Sequence, residues 1–189
     1  MTEKKSAWSA FLTRYRDDPS GFSEHVIKMQ PLPWQREVMD AIAAGERRIS
    51  VRSGHGVGKS SCAASIILWY LLTRYPAKVV VTAPTASQLY DALFAEVKRR
   101  LKEMPPAISK LLEATSDRIV LKSSPTEAFC SARTSSKERP ESLAGVHSEN
   151  VLLIADEASG IPEEVYESAA GSMSGHAATT LLLGNPTRT

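Results

Sequence analysis

The run Ser53-Gly54-His55-Gly56-Val57-Gly58-Lys59-Ser60 has the composition needed to hold the phosphates of a nucleoside triphosphate. Such a ligand needs several backbone N–H groups converging on its oxygens, a positive helix N-terminus, a lysine and a hydroxyl for Mg²⁺. The three glycines permit a tight curl and close approach of the phosphates. Lys59 is placed to reach the β- and γ-phosphates, and Ser60 to ligate Mg²⁺. Arg52 and Ser61 flank the run and join it as candidate nucleotide contacts. The pattern departs from G-x-x-x-x-G-K-[ST] at its first position, where Ser53 stands for glycine. A glycine-rich turn ahead of a buried helix is the competing reading.

A hydrolytic site also needs acids at the end of a buried strand, and Val151-Leu-Leu-Ile-Ala155-Asp156-Glu157 supplies them. Asp156 is expected to hold Mg²⁺, and Glu157 to orient or deprotonate the attacking water. Alone, this pair reads equally well as a helix N-terminal cap; downstream of a phosphate loop it becomes a metal-and-base pair. Asn185, in Leu183-Gly-Asn-Pro-Thr187, closes another strand and suits a sensor touching both γ-phosphate and water, although Asn-Pro is also a turn signal. Gln35 has an amide able to donate to and accept from an adenine edge, or is simply a helix-surface glutamine. Arg52, Arg133 and Arg139 are candidates to neutralise charge on the transferred phosphoryl group. Each arginine, like His55 and His147, also has an ordinary solvated reading. No histidine pattern points to a metal site of its own.

The elements that must position these groups alternate between helix and strand. Residues 1–30 read as a helical lead-in, with Trp8, Phe11, Leu12 and Tyr15 at helical spacing. Pro31 to Trp34 breaks the chain, and a short helix from Trp34 to Ala44 ends at Gly45. Arg48 to Arg52 reads as the strand entering the loop, and Lys59 to Arg74 as the helix leaving it. Lys78 to Thr82 is a β-branched run suited to a buried parallel strand, halted by Pro84. Ser87 to Met104 reads as one long charged helix. Arg118 to Lys122 and Ala128 to Ala132 are short strands paired with each other. Val151 to Ala155 and Thr179 to Leu183 are buried strands, with a helix from Pro162 to about Ser172 between them. The alternation predicts an α/β fold, a parallel sheet with helices on both faces. With no element closing the sheet after Asn185, the chain reads as a fragment of a longer protein.

Bulk properties constrain the setting more than the chemistry. A chain of 189 residues with 42% hydrophobic and 23% charged residues suits one domain with a substantial core. The apolar stretch Ile66 to Leu72 is too short to cross a bilayer, and the N-terminus lacks a secretory signal, so no membrane association is expected. Cys62 and Cys130 form neither metal cluster nor disulfide framework, which points to the cytoplasm. A net charge of +2 does not mark a nucleic-acid binder. The local clusters Arg47-Arg48 and Lys98-Arg99-Arg100 read first as solvated faces.

Five motifs taken together, Leu32-Pro-Trp-Gln35, Val51 to Ser60, Val81-Thr-Ala-Pro-Thr85, Leu153 to Ala158 and Leu183 to Thr187, resemble the ATPase domain of tailed-phage large terminase subunits. The resemblance covers residue 31 onward, dividing the chain into a lead-in (1–30) and an ATPase core (31–189). It implies a RecA-like P-loop NTPase of the additional-strand, catalytic-glutamate type with three α-β-α layers. It implies ATP and Mg²⁺ as cofactors, with Glu157 as catalytic carboxylate and Asn185 in the motif coupling hydrolysis to movement. It further implies an arginine finger (Arg139 or Arg133) offered by the next subunit of a homo-oligomeric ring. The implied partners are double-stranded DNA, a portal protein and a small terminase subunit, and the implied setting is the host cytoplasm. A nuclease domain implied for the family has no counterpart in these residues. The alternatives are a Q-motif helicase, which shares Gln35, the loop and Asp156-Glu157, and a nucleotide-dependent assembly ATPase that does not translocate. A kinase is disfavoured because Glu157 is placed for water.

Overall fold

The computed structural model describes residues 2–134, 143, 145–173 and 177–185. Its centre is a seven-stranded sheet of β1 (Arg48–Arg52), β2 (Ala77–Thr82), β3 (Leu112–Ala114), β4 (Arg118–Leu121), β5 (Ala128–Ala132), β6 (Asn150–Ala155) and β7 (Ala177–Gly184). The strand order is β1-β7-β6-β2-β5-β4-β3. Strands β1, β7, β6, β2 and β5 are all parallel, whereas β4 and β3 add an antiparallel edge. Strand β7 is the additional strand, inserted between the loop-bearing β1 and the acid-bearing β6. Adjacent parallel strands end on the same side, so the carboxyl ends of β1, β7, β6 and β2 converge on one edge.

Helices cover both faces, as buried parallel strands require. On one face α4 (Lys59–Thr73) runs through the interior, and its near-continuous apolar sequence matches burial on all sides. Around it pack α1 (Thr2–Tyr15), α2 (Pro19–Phe22), α3 (Pro33–Ala43) and α5 (Ala95–Glu103). On the other face α7 (Glu163–Met173) contributes Val165 and Ala169 to a smaller cluster with Val80, Leu153 and Ala155. The result is the three-layer RecA-like P-loop architecture. Cys62 and Cys130 are free and buried, and burial pushes the Cys62 thiol up to about 12. Among the described residues no helix is long and apolar enough to cross a membrane.

Several expectations change in detail. The helix expected from Ser87 to Met104 opens as a wide, π-type turn over Gln88–Phe94 before becoming α5. A short α6 (Pro106–Ser109) and β3 follow, neither expected. Strands β4 and β5 do pair antiparallel with each other, and β5 also pairs in parallel with β2. In the cluster Lys98-Arg99-Arg100, both arginines are bound to Glu96, and both also pair with Glu103.

The lead-in shares its core with the sheet. Phe22, Val26 and Ile27 belong to the same cluster as Ile67, Trp69 and Leu71 of α4. Trp69, fully buried, donates its indole N–H to the Tyr15 carbonyl at 2.7 Å. Replacing Trp69 with Phe leaves that carbonyl unpaired and opens a void, so Trp69→Phe is expected to cost about 2–4 kcal/mol. Urea denaturation followed by circular dichroism measures the loss; an unchanged midpoint would show that the lead-in contributes no stability through this contact.

Candidate functional site

The glycine-rich loop leaves β1 with the Ser53 N–H donating to the Gly184 carbonyl of β7 at 3.1 Å, which anchors its first residue to the additional strand. It then curls through Gly56 and Gly58, both with positive φ, into α4. At Gly58 (φ +89) a Cβ would stand 2.8 Å from the Gln35 amide nitrogen, so backbone conformation and space both demand glycine. Gln35, 3% exposed, donates that amide to the Gly58 carbonyl at 2.9 Å, and its Oε1 accepts from Leu32 N at 2.8 Å. Its polar atoms thus engage the backbone on two sides, fastening the start of α3 to the end of the loop.

Lys59 is 7% exposed, and its ammonium is fully engaged. It donates to the carbonyls of Gly54 (2.7 Å) and Ser53 (3.3 Å) and to Asn185 Oδ1 (2.6 Å). Asn185, one residue past β7, is the hub of the site. Its Nδ2 donates to both carboxylate oxygens of Glu157, at 3.0 and 3.1 Å, and lies 3.0 Å from the His55 ring.

The two acids follow β6 directly. Asp156 is 6% exposed; its N–H donates to the Thr82 carbonyl, and its Oδ1 accepts from the Glu157 N–H at 3.1 Å. Burial raises the Asp156 carboxyl above its ordinary range and the neighbouring Glu157 charge adds to this, against the backbone hydrogen bond and the Lys59 charge. Glu157 adopts a left-handed backbone (φ 49), a conformation costly for a non-glycine residue and concentrated at functional sites. That turn carries its side chain across to Asn185.

Two openings meet at Glu157. A cleft of about 390 Å³ is lined by His55, Lys59, Ser60, Asp156 and Glu157 together with Glu96. A wider groove of about 1110 Å³ runs along the carboxyl ends of the strands past Arg52, Gln88, Glu157, Tyr166 and Asn185. Ser60 and Asp156 line the cleft together and offer the hard oxygen donors Mg²⁺ prefers. The residues present therefore fit that ion.

Of the sequence candidates, the cleft brings together His55, Gly56, Gly58, Lys59, Ser60, Ser61, Asp156 and Glu157, with Asn185 bonded to Lys59 and Glu157. Arg52 is exposed on the wider groove. Arg133 lines neither opening: it follows β5, donates to Ser131 Oγ at 3.2 Å, and is lowered in pKa by burial and by the nearby Arg118. Arg139 and the Pro186-Thr187 end of the last motif lie outside the described residues. His147 is exposed and apart from the cleft. Glu96, on the wall of the cleft, was not anticipated; it lies in a helix of ordinary charged composition, and no spacing relates it to the loop.

Comparison with known proteins gives the chain's family. The model of the phage terminase large subunit gpA ATPase domain matches residues 23–180. The chain belongs to that family. A probable terminase large subunit of Enterobacteria phage P7 is 28% identical over 187 residues, covering 96% of this chain and 37% of that protein. The chain thus spans little more than a third of its relative's length. Among solved structures, the large terminase ATPase domain of Thermus phage P74-26 superposes with a TM-score of 0.64 at 21% identity, covering 88% of this chain and 69% of that one. The large terminase of another thermophilic bacteriophage, solved with ADP, gives 0.57 at 16% identity, covering 80% and 36%. These likenesses establish the fold of a terminase ATPase domain. The ADP belongs to that other protein.

For this terminase domain the Gln35 clamp is directly testable. Removing the amide strands Leu32 N and the Gly58 carbonyl, so Gln35→Ala is expected to lower stability by about 1–3 kcal/mol. Thermal unfolding of the nucleotide-free protein reads the effect, and an unaltered transition would mean that the clamp is not coupled to the fold.

Proposed function

We propose that this terminase ATPase domain hydrolyses ATP with Mg²⁺ and that hydrolysis drives double-stranded viral DNA into a procapsid. The observation that carries the reading is the joint engagement of Lys59 and Glu157 by Asn185, at 2.6 and 3.0 Å. One amide thereby connects the group suited to the γ-phosphate with the group suited to the attacking water.

In this reading the loop N–H groups and Lys59 hold the phosphates. Ser60 and Asp156 hold Mg²⁺, which when bound neutralises charge on the phosphate oxygens. Glu157 accepts a proton from the attacking water, or orients it, and its left-handed backbone keeps the carboxylate over the cleft. An incoming γ-phosphate takes the Lys59 ammonium from Asn185, and its later loss returns it. Asn185 at the end of β7 can therefore report nucleotide state to the groove beyond. A neighbouring subunit of a ring supplies a further cation, from Arg139 or Arg133. The portal protein and small terminase subunit complete the machine in the host cytoplasm, as the family role suggests.

Lys59→Ala is expected to weaken nucleotide binding by a hundredfold or more, by roughly the 3 kcal/mol of a strong charged contact. Glu157→Gln is expected to bind ATP while its turnover falls about 10²–10⁴-fold. Normal steady-state turnover by Glu157→Gln would mean that another residue activates water. Specific activity should also rise with protein concentration, because an arginine supplied in trans contributes on the order of a thousandfold in related reactions. Double-stranded DNA should raise it further. A dilution series with constant specific activity, indifferent to DNA, would reject the ring motor and keep only a nucleotide site.

A further inference from the structure

The mechanism above makes no use of Glu96, yet this carboxylate forms part of the phosphate cleft. It lies on α5, which packs along α4, and its side chain is only 14% exposed. Its Oε1 accepts the Ser61 hydroxyl at 2.8 Å, and Ser61 stands in the first turn of α4, two residues after Lys59. Behind it, Arg99 donates at 2.7 and 2.8 Å and Arg100 at 2.9 Å. Arg100 also brings Nη2 to 3.5 Å from Ser61 Oγ, and its own side chain is 15% exposed.

A serine hydroxyl has one proton to donate. Given to Glu96, that proton is withheld from the cleft, and Ser61 turns only lone pairs toward an incoming phosphate oxygen. The Glu96 charge repels the same phosphate. Glu96 does not depend on Ser61, because two guanidiniums still bind the carboxylate once the hydroxyl has gone. The hydroxyl therefore has two available acceptors, Glu96 and, once nucleotide binds, a phosphate oxygen.

Resting on the nucleotide reading of the loop, we infer that Glu96 is a positioning residue that holds the Ser61 hydroxyl away from the phosphates until nucleotide displaces it, and that its charge limits nucleotide affinity. Arg100 completes the device: it is paired with Glu96 while Ser61 is bound, and that pairing remains when Ser61 leaves. Nucleotide occupancy is thereby communicated to α5.

Equilibrium binding of a fluorescent ADP analogue with Mg²⁺, to the full chain, tests this. Glu96→Gln removes the charge and weakens the hold on Ser61, so it is expected to tighten binding about threefold to tenfold. A residue that merely supported the fold would weaken binding when altered, so tightening separates the two roles. In a Ser61→Ala background the same substitution should give a smaller gain, because no hydroxyl remains to be released. Arg100→Gln, which leaves Glu96 less compensated, is expected to weaken binding. Unchanged or weaker binding by folded Glu96→Gln, or undiminished binding by Arg100→Gln, would overturn the inference. Wild-type protein that binds no analogue would instead overturn the nucleotide reading beneath it, and the inference with it.

Discussion

A buried ammonium has to be surrounded by oxygen, and much of the site's geometry follows from meeting that need at Lys59. Two of its partners are carbonyls of the loop itself, which sets the curl of residues 53–58. The third is the Asn185 side chain, supplied by a strand distant in sequence. For that oxygen to arrive, β7 must lie directly beside β1, and the register pairing Arg52 with Gly184 brings the two strand ends level. The same Asn185 then needs an acceptor for its amide protons. Strand β6 provides it, since Ala155 pairs with Leu182 and Glu157 follows just beyond. One buried charge thus links three adjacent parallel strands at a single edge.

Charge balance shapes the remainder. The cleft sets Asp156, Glu157 and Glu96 around one lysine, and Glu96 is bound by Arg99 and Arg100. Burial, with the neighbouring Glu157 charge adding to it, shifts Asp156 toward its neutral form. The left-handed turn at Glu157 adds a conformational cost that the surrounding sheet and the Asn185 contact offset. Stability is given up at this edge and recovered in the core, where α4 is almost wholly buried.

What was legible in the sequence was the chemistry that demands particular residue types at particular spacing. The glycines, Lys59, Ser60, Asp156, Glu157 and Asn185 could be read because few other purposes need that set in that order, and the parallel sheet followed from β-branched runs alternating with helices. Gln35 was readable as a special position but not in its contacts, because both partners are backbone atoms and leave no mark on composition. Glu96 left no trace at all: its role depends on α5 packing beside α4, and helices pack through apolar residues such as Val97 and Leu101 that say nothing about a neighbouring carboxylate. The wide turn at Gln88–Phe94 was hidden because its sequence has ordinary helical propensity. Strand β3, three residues long, was too short for an alternating pattern to declare itself.

The most direct test of the Lys59–Asn185–Glu157 connection is single-turnover ATP hydrolysis by Asn185→Ala at saturating Mg²⁺-ATP, with ADP-analogue affinity measured alongside. If Asn185 joins phosphate binding to water activation, affinity stays within a few fold, or tightens as Lys59 is released, while the chemical step slows about a hundredfold or more. A single-turnover rate equal to wild type would contradict the connection and leave Asn185 as a residue that only satisfies a buried lysine.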